Sequence, residues 1–130
     1  MSRWSLTRTG SSSYQSGYLR SQAWHWRRRR WFRDRRTEGV EPACQVCGLR
    51  LEDTKSLDLH HVSYDGVIEN PDGTWRAAEL DEDLMPLCRS HHRAVHRRMD
   101  RRREFYGWDR RRATIVIVAS LIRQQGVGDK

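Results

Sequence analysis

Lysine is almost missing from this chain. Of its 25 cationic residues only Lys55 and Lys130 are lysine, and the formal net charge is +8. A positive surface made of arginine fits a phosphodiester partner better than it fits the alternative of a merely solubilising surface, because the planar guanidinium fork grips phosphate. Charge alone leaves nucleic acid and an anionic membrane as partners. Long apolar runs are missing too. The longest, Ile115 to Ala119, is far too short to span a bilayer. The N-terminus lacks the apolar core of a signal peptide, so the expected compartment is a reducing cytoplasm. Apolar residues are scarce at 36%, below the usual 45–50% or so. A core that thin in a chain of 130 residues calls for a staple. Cysteines number three, an odd count that closes no disulfide framework. A bound metal is the remaining candidate.

The charge that is present is ordered. Residues 20–36 carry Arg20, Arg27, Arg28, Arg29, Arg30, Arg33, Arg35 and Arg36 against Asp34 alone. Residues 89–112 carry ten arginines against Asp100, Glu104 and Asp109. Between them, residues 51–83 hold ten acids and only Lys55 and Arg76. The acidic stretch is expected to face away from a nucleic acid or to meet a protein partner.

Residues 1–17 are rich in Ser, Thr and Gly and read as a disordered tail. From Tyr18 to Arg36 no Gly or Pro interrupts a helical pattern, whose tryptophans are expected to cap the core. Leu57 to Tyr64 alternates like a strand, and Asn70-Pro71-Asp72-Gly73 marks a loop. Leu84 to Leu87 reads as a second extended segment entering Cys88. A helix is expected from Arg89 to Tyr106, stopped by Gly107, and a last one from Asp109 to Gln125. The β-branched run from Thr114 to Val118 leaves a strand as the alternative there.

Cys44 and Cys47 offer two thiolates at x-x spacing, with Gly48 permitting the tight turn between them. Cys88 and His91 repeat that spacing, so the two knuckles together make a Cys₃His set, the closed form of a structural zinc site. A redox pair of Cys44 and Cys47 is the alternative, but no thioredoxin-like strand and helix surround it. The second cluster is His60, His61, His92 and His96. On a helix His92 and His96 share one face and can hold one divalent ion, while His91 points about 100° away. In a strand His60 and His61 point to opposite faces, so one can ligate and the other reach substrate.

The run Leu59-His60-His61, with Asp83-Leu84-Met85-Pro86-Leu87-Cys88-Arg89-Ser90-His91-His92-Arg93-Ala94-Val95-His96 downstream, resembles the HNH endonucleases. It is especially similar to the short zinc-bearing members encoded by phages and prophages, over roughly residues 22–105. The resemblance implies an α+β fold, a small ββα-metal (His-Me) finger with a structural zinc site and flanking arginine-rich helices. The nuclease domain would span 18–108, with 109–130 as a C-terminal segment. It implies His60, His92 and His96 as ligands of one catalytic Mg²⁺, Mn²⁺, Ni²⁺ or Zn²⁺, His61 as general base, and Asp83 as the residue orienting that base. Zinc would sit on Cys44, Cys47, Cys88 and His91. Asp83 stands where the family has Asn, so its carboxylate either orients His61 or approaches the metal, and His91 stands where the family has a fourth Cys. The expected activity is hydrolysis of DNA to 5′-phosphate and 3′-hydroxyl ends. Arg27, Arg28, Arg30, Arg93, Arg97 and Arg101 are the expected phosphate contacts. Phage terminase proteins are an implied partner and the bacterial host cytoplasm the implied location. Two other classes remain. A non-catalytic zinc-ribbon module explains the cysteines and the charge but leaves His60, His61 and His96 idle. A terminase-accessory protein would keep the fold without the activity.

Overall fold

In a computed structural model that describes residues 13–128, the polypeptide is a small α+β structure with two antiparallel two-stranded sheets. Two short or medium helices lead: α1 (Ser13–Leu19) and α2 (Gln22–Thr37). The expected tail lies outside the described residues up to position 12, and its last part is instead the start of α1. The helix expected from Tyr18 is interrupted at Ser21, whose hydroxyl accepts from the Trp24 N–H and so caps α2 afresh.

After the Cys44–Cys47 knuckle comes a single turn, α3 (Leu51–Thr54). Next are β1 (Asp58–His61), β2 (Val67–Glu69), β3 (Trp75–Ala77) and β4 (Leu84–Leu87). β1 pairs with β4 in the register His60 to Met85 and His61 to Leu84. The expected Asn70–Gly73 loop is the turn of an inserted hairpin, β2 with β3, which the alternation of the sequence did not announce. Gly73 sits there at φ +88°, a left-handed position that suits glycine. The strand expected to reach Tyr64 stops at His61, because Tyr64 already accepts the Val67 N–H in the turn toward β2. Pro86 lies within β4, and its carbonyl points outward to accept the Gln45 N–H of the knuckle.

α4 (Arg89–Arg101) follows β4 directly, and α5 (Arg110–Gly128) closes the chain. The helical reading of the last segment holds despite its β-branched run. α4 ends earlier than expected, because a 3₁₀ turn at Arg103–Phe105 tucks Phe105 into the core. Leu57, Leu87, Val95, Met99, Phe105, Ala113 and Ile117 form one apolar cluster between α4, α5 and the knuckle. Tyr18, Trp24, Trp31, Leu59, Val67 and Leu84 form a second beneath α1 and α2. Trp24 and Trp31 cap the core as expected, whereas Trp26 is 56% exposed.

The acidic stretch does not simply face away from the basic helices. α2 grips it: Arg27 donates to the Glu79 carbonyl at 2.8 Å and to Asp81 at 2.7 Å. Arg35 donates to Asp81 at 3.1 Å, and the Trp31 indole N–H reaches the Asp81 carbonyl. Arg27 is therefore buried at 3% exposure, which removes it from the expected phosphate contacts. Replacing it leaves the buried Glu79 carboxylate without its cation. Arg27→Leu is expected to cost about 3 kcal/mol in urea unfolding, against under about 0.5 kcal/mol for Arg30→Leu at an exposed position of the same helix.

Candidate metal centres

Cys44 and Cys47 project from a turn closed by Gly48, whose N–H donates to the Cys44 carbonyl and whose φ is +76°. Cys88 follows β4 directly and is the N-cap residue of α4, which carries His91 in its first turn. Between the ligand atoms the separations are 4.0 Å for Cys47 Sγ to Cys88 Sγ, 3.3 Å for Cys88 Sγ to His91 Nδ1 and 3.7 Å for Cys44 Sγ to His91 Nδ1. A tetrahedral ion with bonds of about 2.3 Å to sulfur and 2.0 Å to nitrogen sets its ligands about 3.5–3.8 Å apart. Burial, followed by the charge of neighbouring sulfurs, pushes the Cys47 thiol up to about 11. Cys44 goes the other way: burial raises it, but N–H groups of Cys47, Cys88 and Val46 outweigh that and pull it down. Three sulfurs this close cannot all ionise without a cation between them, so the donor set fits a divalent ion and is compatible with zinc.

The second group is built on two faces of β1. Asp58 and His60 are two residues apart and share the face toward α4, while His61 points the other way, toward α2. His92 and His96 stand one turn apart on α4 with their Nε2 atoms 3.1 Å from each other. Two nitrogens each about 2.1 Å from one ion are spaced by about 3.0 Å at an octahedral angle and about 3.4 Å at a tetrahedral one. His60 is fully buried and edge-on to both rings, at 5.4 and 5.2 Å between centroids. Its Nε2 bonds to Thr114 Oγ1 of α5 at 2.9 Å, and its Nδ1 has no hydrogen-bond partner. An orphaned buried nitrogen is costly unless something ligates it. His60, His92 and His96 each bring a ring nitrogen within 4.8 Å of the other two, so the three imidazoles fit a metal ion.

The electrostatics favour neutral rings. Burial, then the Arg110 charge, holds His60 well below its ordinary value. Burial and then the neighbouring His92 bring His96 down to about 4. Burial also lowers His92, against the opposing pull of Asp58, which accepts its Nδ1–H at 2.9 Å. That bond leaves Nε2 free to ligate, the usual arrangement behind a metal-bound histidine.

His61 is buried at 2% exposure, under the flat face of Tyr64 at 4.2 Å and beside Trp24 at 4.6 Å. Its Nε2 bonds to Glu79 Oε2 at 2.7 Å, and the same oxygen accepts from Tyr18. Burial pushes Glu79 up, but the bonds from His61 and Tyr18 prevail and keep it ionised, while burial keeps His61 neutral. Glu79, not Asp83, therefore orients His61. The Asp83 carboxylate is taken by Arg111, and only its backbone touches this region, accepting the Val62 N–H.

No family model, curated protein or solved structure matches this chain. Its chemistry rests on the site's own residues. Among the described residues no helix is long and apolar enough to cross a membrane.

Of the expected phosphate contacts, Arg30, Arg93, Arg97 and Arg101 are exposed, and the last three form one stripe four residues apart along α4. Arg28 is half-buried and donates to the Leu57 carbonyl. Sequence reasoning missed Glu79, Tyr18, Thr114 and Arg110, whose Nε donates to the His61 carbonyl at 2.6 Å. All four lie outside any local spacing pattern. Asp58 was findable, since it alternates with His60.

Native mass spectrometry after dialysis against zinc is expected to give two ions per chain. Cys88→Ser should lose one of them and His96→Ala the other. Thr114→Val should weaken the His-bound ion by about 10–100-fold in titration calorimetry, whereas Thr114→Ser should keep it.

Proposed function

We propose that this chain is a metal-dependent DNA endonuclease of the HNH type, with β1, β4 and α4 as its ββα-metal finger. One observation carries the reading. Buried His60, whose Nδ1 has no hydrogen-bond partner, brings a ring nitrogen within 4.8 Å of one on each of His92 and His96, and the next residue along β1 is a neutral histidine held by a carboxylate. A structural zinc site alone has no use for that second set.

In this reading His60 Nδ1, His92 Nε2 and His96 Nε2 hold the catalytic ion. When bound, a divalent ion there supplies charge stabilisation to a phosphate oxygen and the leaving oxygen. Imidazole ligands do not choose among Mg²⁺, Mn²⁺, Ni²⁺ and Zn²⁺. His61 is the general base. Glu79 accepts its Nε2–H, which leaves the lone pair on Nδ1 to take a proton from water. Arg110 holds the His61 carbonyl and lies over Tyr64 at 5.0 Å, so His61 is fixed from backbone and ring alike. Arg93, Arg97 and Arg101 run along the helix that carries His92 and His96, placed to hold backbone phosphates on either side of the cut. The arginine stripe and the implied relation to phage proteins make DNA packaging by a terminase the setting this activity suits.

A second reading has one observation in its favour. His61 is 2% exposed with the Tyr64 ring stacked on it at 4.2 Å, so the proposed base meets little solvent. A nucleic-acid-binding or terminase-accessory protein that never cuts would tolerate that burial without cost.

Plasmid nicking separates the two. With Mg²⁺, Mn²⁺ or Ni²⁺ the wild type is expected to convert supercoiled plasmid to the open circle, and a chelator to stop it. His61→Ala, still folded and carrying its Cys₃His ion, should be slower by about 10²–10⁴-fold, and Glu79→Gln slower by less. DNA bound but uncut with every ion would leave the second reading standing. Arg93→Ala and Arg97→Ala should each reduce the slope of log affinity against log salt by about one.

A further inference from the structure

α2 sorts its arginines by face. Arg27, Arg28 and Arg35 turn inward and are consumed by Glu79, Asp81, Glu38 and the Leu57 carbonyl. The opposite face carries Trp26, Arg29, Arg30 and Arg33, which at i, i+3, i+4 and i+7 form one continuous strip. Trp26 is the most exposed tryptophan among the described residues, 56% exposed where Trp24 and Trp31 are 8% and 4%. The Arg29 guanidinium lies over its ring at 5.5 Å, and the His25 ring meets it edge-on at 5.2 Å. Among the described residues the only acid paired with this strip is Asp34, 3.3 Å from an exposed Arg33.

We infer that this outer face of α2 is a docking strip for single-stranded DNA, separate from the metal centres, in which Trp26 stacks an unpaired base and Arg29, Arg30 and Arg33 hold its phosphates. Two observations choose this occupant. The strip's charge is cationic and entirely arginine, which complements a phosphate backbone. At its centre stands a flat, exposed indole, and bases offer a π-face to such a ring only where they are unstacked. In an intact duplex those faces are covered, and the indole would contribute little. The inference rests on the nuclease reading only for the choice of DNA over RNA. An enzyme that cuts strands meets such single-stranded segments at frayed or displaced ends.

The test uses the full chain, without added divalent ion, and a fluorescein-labelled oligodeoxynucleotide of about 15 nucleotides. The same-length duplex and the matching oligoribonucleotide serve as comparison probes, all read by anisotropy. Trp26→Ala is expected to weaken single-stranded DNA by about tenfold and the duplex by less than about twofold. Trp26→Phe should retain most of the affinity. Arg29→Ala with Arg30→Ala should weaken both DNA probes. Because Trp26 contacts only surface side chains, far-ultraviolet dichroism should be unchanged in every variant. Equal losses on single strand and duplex, no loss on either, or tighter binding of the RNA would overturn the assignment. So would Trp26→Ala abolishing capture of a terminase protein while leaving oligonucleotide binding intact. Plasmid nicking is scored separately. A wild type that never nicks yet shows the Trp26 effect defeats the nuclease reading and leaves this strip standing, and the reverse outcome does the opposite.

Discussion

Cys88 is the joint on which the molecule turns. It follows β4, is the N-cap residue of α4 and directs a sulfur to within 4.0 Å of Cys47 and 3.3 Å of His91. An ion held there ties the knuckle, the ribbon and the helix to one point. The next residue on α4, His92, then has its direction fixed by the helix and cannot serve the same ion, since adjacent side chains diverge by about 100°. It turns instead to Asp58 and His60. One anchored helical turn thus feeds two separate donor sets, and the precision of the second depends on how firmly the first is held.

The remaining elements act as supports rather than additions. α5 sends Thr114 to His60, Arg110 to the His61 carbonyl and Arg111 to Asp83 from little more than one turn. α2 and α1 hold the other side: Tyr18 and Arg27 meet Glu79, which in turn holds His61. The basic, acidic, basic order of the chain is therefore partly an internal neutralisation. The acids spent on α2 and α5 leave the outer arginines unopposed, so the net positive charge is carried at the surface.

Much of this was legible in the sequence. The two knuckles could be read because x-x spacing is short-range, and so could the His92 and His96 pair because helical periodicity is local. β1 followed from its alternation, β4 from a short apolar stretch entering Cys88, and α4 from an unbroken run stopped by Gly107. The partners of those residues could not be read. Glu79 and Asp83 are equally acidic and close in sequence, and only the path of the inserted hairpin decides which of them reaches His61. Arg27 and Arg30 are likewise indistinguishable until it is known that α2 buries the side carrying Trp24 and Trp31 and not the side carrying Trp26. A helix tolerates arginine on both faces when buried acids await it on one.

Pro86 has a consequence for how the chain survives outside its native contacts. Its carbonyl faces out to Gln45, so its missing N–H removes a donor from that same outer edge of β4. A strand from another molecule would find there a ring instead of a hydrogen and a carbonyl already bonded. The ribbon therefore ends at two strands on that side. A thin-cored chain thus carries, at this edge, its own stop against growing into aggregate.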